Sequence, residues 1–568
     1  MTRLLAAALT IIVIGTPQQT DRGVASSTGL VVSASSIASD AGAAVLADGG
    51  NAVDAAVATA FALAVTLPAA GNLGGGGFMV VRTPDGKATT FDYREKAPGR
   101  ATPTMYLGAD GRIDRSLTSA GYLAPGVPGT VRGLALAHSR FGRLPWKRLV
   151  EPAAALARDG FEMHPTLARG LNAQLEGVMG QFPTSVAAYG KPGGGRWEGG
   201  DRIVLADLGR TLQAIADGGP DAFYTGWIAE ALARDMAANG GLISVEDLAK
   251  YEAKERAPVR GTFNGYEIIS MPPPSSGGIA LVEMLNILET LGIQKLAPGS
   301  VEATHLQIEA MRRAFLDRAR FLGDPDFTDI PVERLTSKAH AREAAASIAR
   351  NKASNSADLG KDIVTAPSGQ EPMETTHFSV LDRDGLAVSQ TYTLEGSYGS
   401  RVVVKGLGFL LNNEMGDFNK KPGETNLTGD IGTPANLIAP GKRMLSSMTP
   451  AIVTRDGKLA LITGTPGGRT IINTVMNVIL NVTAFGMTGR EAVDAKRLHH
   501  QWLPDRASLE AGALSDDALA RLRAMGHEVR QGGSQGDAHS IWIDPKTGTA
   551  YGINDRRTAA SKASVPGK

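Results

Sequence analysis

The chain of 568 residues carries 58 Lys plus Arg against 57 Asp plus Glu, with 43% hydrophobic residues and no cysteine. This balance lacks the basic excess of a nucleic-acid binder, and the missing thiol removes disulfides, thiolate metal sites, iron–sulfur clusters, cysteine nucleophiles and a cysteine-linked lipid anchor. The 69 Gly and 30 Pro show no period, so they mark many tight turns and exclude collagen and low-complexity chains.

At the start of the chain, Arg3 precedes an apolar run from Leu4 to Ile14. The run is long enough for the core of a signal peptide and too short to cross a bilayer as a helix. Val13-Ile14-Gly15 stands where an Ala-x-Ala cleavage site is usual. Residues 1–24 are therefore read as a signal peptide and short leader, giving a periplasmic or secreted protein without a stable membrane anchor. The next apolar stretch, Ala55 to Ala70, follows Asn51 and Asp54 and contains Pro68, which suits a capped core helix. Gly71-Asn72-Leu73-Gly74-Gly75-Gly76-Gly77 comes before a strand, Phe78 to Arg82, whereas a dinucleotide turn follows one, so close backbone packing is expected.

Helices are expected over Ile279–Leu291, behind the stiff loop Met271 to Gly278, and over Val301–Leu322. The polar segment from Asn351 to Met373 has few large apolar residues and reads as an exposed, cleavable linker. Beyond it, Thr376 to Leu394 forms a hairpin around Asp382-Arg383-Asp384-Gly385, and Met448 to Thr463 repeats that design around Arg455-Asp456-Gly457. A three-residue first loop with Gly385 left-handed puts Asp382 opposite Leu386 and hence Thr375 opposite Thr393. A two-residue loop would put Leu394 there.

Thr375 sits where the linker ends and the strand begins. A threonine hydroxyl needs a base. Cleavage of the Glu374–Thr375 bond would supply one in the new α-amine, whose reference pKa is about 7.7–8.0. Taken alone, Thr375-Thr376 also reads as ordinary strand sequence. Thr463-Gly464-Thr465-Pro466-Gly467-Gly468 joins a strand to a helix whose apolar positions are Ile472, Val475, Met476, Ile479 and Leu480. Its backbone N–H groups suit an oxyanion or a phosphate, and no Lys-Ser/Thr follows to complete a nucleotide loop. The 9 histidines show no metal-ligand spacing. His377, His499 and His500 read as packing residues, and no metal or cofactor is expected.

Together these segments resemble the γ-glutamyltransferase (γ-glutamyltranspeptidase) family of N-terminal nucleophile hydrolases over roughly Val32 to Arg557. The resemblance rests on Thr375-Thr376-His377-Phe378-Ser379-Val380, Leu411-Asn412-Asn413-Glu414-Met415-Gly416-Asp417-Phe418, Leu445-Ser446-Ser447-Met448-Thr449-Pro450 and Gly464 to Gly468. Asp92-Tyr93-Arg94-Glu95-Lys96-Ala97-Pro98, the 71–79 glycine segment and His499-His500-Gln501-Trp502-Leu503-Pro504 follow the same order. It implies an α+β fold, a four-layer αββα sandwich, made as a precursor that cuts itself between Glu374 and Thr375. The products are a heavy part, 25–374, and a light catalytic part, 375–568, held as a heterodimer.

The resemblance further implies Thr375 as nucleophile, Thr393 as its hydrogen-bonding partner, and Gly467 and Gly468 as oxyanion amides. Arg94, Ser446 and Ser447 would hold the donor's α-carboxylate, and Glu395, Glu414 and Asp417 its α-ammonium. Glu395 occupies a position that is Asn in some relatives. The insert Lys420–Arg443 matches a lid loop, with Thr428 where some relatives place an aromatic gate and Met444 in place of a frequent proline. The implied reaction is transfer of the γ-glutamyl group of glutathione-like donors to water or to amino acid and dipeptide acceptors, without a cofactor. Two alternatives stand beside it: a glutaryl-cephalosporin-type acylase on the same fold, whose substrate lacks the ammonium, and a non-catalytic exported binding protein.

Overall fold

The computed structural model describes residues 21–363, 375–423 and 433–567, with backbone alone at Thr365–Ala366 and Thr425–Asn426. The signal segment Leu4–Ile14, Glu374 and Thr428 lie outside the described residues. Two seven-stranded sheets stack face to face. The first runs Val24–Ser26, Ala550–Ile553, Ser540–Ile543, Lys458–Thr463, Ala451–Arg455, Tyr266–Ser270, Val259–Phe263. The second runs Lys562–Ser564, Gly29–Ser33, Thr376–Asp382, Ala387–Thr393, Gly76–Arg82, Ala88–Tyr93, Lys254–Arg256.

Strand alternation explains the layering, because neighbouring side chains point to opposite faces. Leu30, Val32, Val80, Ile269, Ile452, Ile462 and Ile541 meet between the sheets. Their neighbours Val31, Met79 and Val81 face one helical layer, while Ile268, Val453 and Leu461 face the other. Both faces are buried, so these strands read as continuous apolar runs. Helix Ala52–Thr66 covers the second sheet and is buried at every position, with Asn51 and Asp54 forming the capping box that starts it. Helices Gly277–Thr290 and Thr470–Thr483 cover the first sheet. The result is the expected αββα sandwich. No helix among the described residues is long and apolar enough to cross a membrane.

The first hairpin has the three-residue loop: Asp382 N–H donates to Leu386 O at 3.1 Å, Gly385 has φ 90°, and Thr376 pairs with Tyr392. The second hairpin departs from that design. Arg455 pairs with Lys458 across a two-residue turn, with Asp456 at φ 51° and Gly457 at φ 73°, and a bulge follows between Val453 and Thr454. Two consecutive left-handed residues make the primed turn that matches strand twist, so Arg455 belongs to the strand.

The polar segment after Asn351 is largely exposed up to residue 363, as read, but it is pinned at Ser356, which is buried: its N–H donates to Asp505 Oδ2 at 2.8 Å, and its carbonyl accepts Trp502 Nε1 at 2.8 Å. Ala353 N–H reaches Met525 O at 2.8 Å, and a Cβ at Gly360 would lie 2.3 Å from the Trp502 ring. These contacts come from partners distant in sequence, which composition does not reveal. Further on, Thr365–Ala366 pairs in parallel with Thr425–Asn426, joining the linker to the insert before Arg443.

Candidate active site

Thr375 is the residue before the strand Thr376–Asp382, and Thr393 ends the partner strand. Antiparallel pairing makes them neighbours, and Thr375 Oγ1 donates to Thr393 Oγ1 at 3.4 Å, with both residues buried. That is long for a hydroxyl pair, as is common at unliganded sites. Thr393 Oγ1 also accepts Glu395 N–H at 2.8 Å, which helps to hold Glu395 at φ 76°, where a non-glycine residue is strained.

The glycine segment exists to let backbone approach this strand end. A Cβ at Gly75 would meet Thr393 O at 2.1 Å, and one at Gly77 would meet Tyr392 Cβ at 2.4 Å. Asn72 uses that access: its Nδ2 donates to Thr393 O at 2.9 Å, while its Oδ1 accepts Gly75 N–H at 3.0 Å and the Thr130 hydroxyl at 2.6 Å. Asn412 similarly accepts Gly126 N–H at 2.8 Å and Glu414 N–H at 3.0 Å. Asn413 accepts Gly396 N–H at 2.9 Å and donates to the Glu395 carboxylate. In the sequence Asn72, Asn412 and Asn413 are motif letters without an assigned role, and the glycines around Asn72 are the available signal.

Gly467 and Gly468 form the turn that opens helix Thr470–Thr483, with their carbonyls accepting Thr470 N–H at 3.1 Å and Ile471 N–H at 3.2 Å. A cavity of about 860 Å³ is lined by Thr375, Gly467, Tyr398 and His164, among others. The Thr375 residue and a glycine turn thus share one space.

Arg94, only 1% exposed, is brought against two of the acids proposed to face it. Its Nη1 lies 2.6 Å from Glu414 Oε2 and 3.5 Å from Glu95 Oε2, and its Nη2 pairs with Asp417. The cation and these acids therefore pair with one another. Burial acts against the Arg94 charge, but the Glu414, Asp417 and Glu95 carboxylates outweigh it and hold the guanidinium protonated. Burial pushes Glu414 well above the usual carboxylate range and Glu95 up to about 7, with Arg94 offsetting part of each. Asp417 differs from Glu414 in access: its side chain is 34% exposed, so it can still receive a ligand cation.

Ser446 Oγ accepts Met448 N–H at 3.1 Å, and Ser447 Oγ accepts Arg318 Nη2 at 3.1 Å. An accepted bond leaves each hydroxyl proton available to another acceptor. Arg318, which also reaches Ser276 Oγ at 2.9 Å, carried no sequence signal.

His377 is buried between Thr391 Oγ1 at 2.8 Å and Ser379 Oγ at 3.1 Å, and burial keeps its pKa well below the usual imidazole range. His499 contacts Asn473 Nδ2 at 2.7 Å and Gln501 at 2.7 Å, and His500 Nδ1 accepts Trp502 N–H at 3.2 Å. All three have the packing surroundings expected of them. Among the described residues two clusters form, His305 and Glu309 of one helix with His527, and Glu283 with Asp317 and His340. Neither includes a residue of the Thr375 cavity.

The family profile described as Gamma-glutamyltranspeptidase matches residues 38–565. The chain belongs to the gamma-glutamyltranspeptidase family. Among relatives of this gamma-glutamyltranspeptidase chain, the glutathione hydrolase proenzyme of Escherichia coli (strain K12) is 46% identical over 530 residues, 93% of this chain and 90% of that protein. The acylase ACY 1 proenzyme of Pseudomonas sp. (strain SE83) is 38% identical over 549 residues, covering 95% and 94%. Among solved structures, cephalosporin acylase from Bacillus halodurans aligns with a TM-score of 0.83 at 26% identity, covering 98% of this chain and 99% of that one. Helicobacter pylori gamma-glutamyltranspeptidase gives 0.55 at 41% identity, covering 59% and 94%. The fold is thus the N-terminal nucleophile hydrolase sandwich, and this gamma-glutamyltranspeptidase chain is an enzyme of γ-glutamyl transfer and hydrolysis acting on small molecules, made as a precursor that is processed to two chains.

Proposed function

We propose that the precursor is exported to the periplasm or beyond and cuts itself between Glu374 and Thr375, leaving 25–374 and 375–568 associated. Thr375 then carries the γ-glutamyl group of glutathione-like donors to water or to the amine of an amino acid or dipeptide. The observation that carries this reading is the Thr375 hydroxyl beside Thr393, in one cavity with the Gly467 turn.

In turnover the freed α-amine of Thr375 takes the hydroxyl proton as Oγ1 adds to the γ-carbonyl. Negative charge gathers on the carbonyl oxygen, where the Gly467 and Gly468 N–H groups stabilise it. Collapse expels the leaving amine, which takes the proton, and leaves an ester on Thr375. Water or an acceptor amine attacks that ester by the reverse sequence. Arg94, Ser446 and Ser447 hold the donor's α-carboxylate, and Asp417, Glu414 and Glu395 its α-ammonium; on binding, the ligand's two charges insert between walls that otherwise pair with each other.

The test is Thr375→Ala, which is expected to give a folded, full-length, inactive chain, whereas the parent yields two fragments, the smaller beginning at Thr375. A second reading, an acylase for substrates lacking the ammonium, draws support from the relatives named acylase. The three acids, Glu395, Glu414 and Asp417, favour the γ-glutamyl donor.

A further inference from the structure

The Gly467-Gly468 turn has no side chain of its own to set its peptide planes, and both glycines lie at positive φ, 130° and 55°. Two threonines supply the missing constraint. Thr470 Oγ1 donates to Gly467 O at 2.6 Å, alongside Thr470 N–H at 3.1 Å. Thr465 Oγ1 accepts Asp537 N–H at 2.7 Å, which directs its own proton to Pro466 O at 2.9 Å.

The direction of each bond matters because the Pro466–Gly467 and Gly467–Gly468 peptides are both trans. In a trans peptide the N–H is antiparallel to the C=O of the same plane. Fixing Pro466 O therefore aims the Gly467 N–H, and fixing Gly467 O aims the Gly468 N–H. Each amide has its own threonine. The loop that delivers Asp537 N–H depends on Gly536, at φ 65°, where a Cβ would come within 2.5 Å of Thr465 Oγ1. Thr470 and Gly467 line the cavity that holds Thr375.

We infer that Thr465 and Thr470 are positioning residues that aim the two amides of the turn at the oxygen on which charge develops, an inference that rests on the proposed oxyanion role of Gly467 and Gly468. Preorganised donors of this kind act on the transition state more than on the bound substrate.

The experiment compares Thr470→Val and Thr465→Val with the corresponding serine variants, using a chromogenic γ-glutamyl anilide. Two ligands are measured beside it: a γ-glutamyl boronic acid, which forms a tetrahedral adduct on the nucleophile, and glutamate, which does not. Each valine variant is expected to lose at least tenfold in kcat with KM within about twofold, and each serine variant to recover most of the loss. Boronate affinity should fall by the same factor as kcat while glutamate affinity holds. Thr470→Ala and Thr465→Ala carry the same expectations if a valine variant does not melt cooperatively.

Unchanged kcat in a folded variant overturns the inference, as does equal weakening of boronate and glutamate, or a serine variant as impaired as its valine counterpart. Failure of the underlying reading shows differently, as turnover by Thr375→Ala.

Discussion

Thr393→Val removes one oxygen atom from the site and is the most informative single change. With it go the acceptor of Glu395 N–H at 2.8 Å and the partner of Thr375 Oγ1 at 3.4 Å. The first loss takes the acceptor from a half-buried N–H, worth about 1 kcal/mol of stability. It also relaxes Glu395, whose left-handed backbone costs roughly 1–2 kcal/mol and whose carboxylate still accepts Asn413 Nδ2. The second loss acts on the rate: Thr375 Oγ1 loses the acceptor that orients its proton, worth about 0.5–1.5 kcal/mol, or roughly two- to tenfold in kcat. The assay is kcat on the processed fraction, isolated after a denaturing gel has shown both fragments, with Tm measured beside it. Both kcat and Tm should fall, and Thr393→Ser should restore most of the rate. A correctly processed Thr393→Val enzyme with full kcat would refute the pairing of Thr375 with Thr393 as a working contact.

Thr375→Ala is expected to run as one full-length band that still melts cooperatively; parent-like fragments from that variant would remove Thr375 from the cleavage step. Asp417→Ala should weaken γ-glutamyl amides by about 2 kcal/mol, roughly thirtyfold in kcat/KM, relative to glutaryl amides, which lack the ammonium that Asp417 is placed to meet; equal losses on both would make Asp417 structural. His340 is pushed up to about 10, first by its bond to Asp317 and then by Glu283, while burial pushes Glu283 up to about 7. Both folded values exceed the unfolded ones of about 6.5 and 4.3, so the native triad keeps protons that the unfolded chain releases, and stability declines as pH rises through those windows. In His340→Gln the decline of Tm between about pH 6.5 and 10 should flatten; an unchanged slope would show that the triad is not its source.

The parts of the site that were legible in the sequence are those fixed by short-range rules. Hairpin register follows from the loop around Gly385, so the juxtaposition of Thr375 and Thr393 needed no tertiary knowledge. The glycine run before Phe78 announced close backbone contact, and Asn51 with Asp54 announced a helix start. What stayed hidden depends on approach between distant segments. Asn72 looks like any loop asparagine until Thr393 O is placed beside it. Ser356 is pinned within its polar stretch by Asp505 and Trp502, and composition cannot tell that from exposure to water. The second hairpin forms as read, but its turn is shorter than the first for a local reason: Asp456 takes a left-handed conformation, which moves Arg455 from the turn into the strand.

The order of strands in the two sheets has a consequence for the life of the molecule after scission. In the second sheet Gly29–Ser33 lies between Lys562–Ser564 and Thr376–Asp382, and Ala387–Thr393 pairs with Gly76–Arg82. In the first, Ala451–Arg455 pairs with Tyr266–Ser270. A cut before Thr375 leaves every one of these pairings in place, yet neither product retains a complete sheet. Folding is thereby a property of the uncut chain, with the loop closures paid once as an intramolecular process. After the cut, unfolding yields two molecules, and their return becomes a second-order encounter between chains with exposed apolar strands. The enzyme's persistence then rests on the height of its unfolding barrier, so its working lifetime is a rate and not an equilibrium.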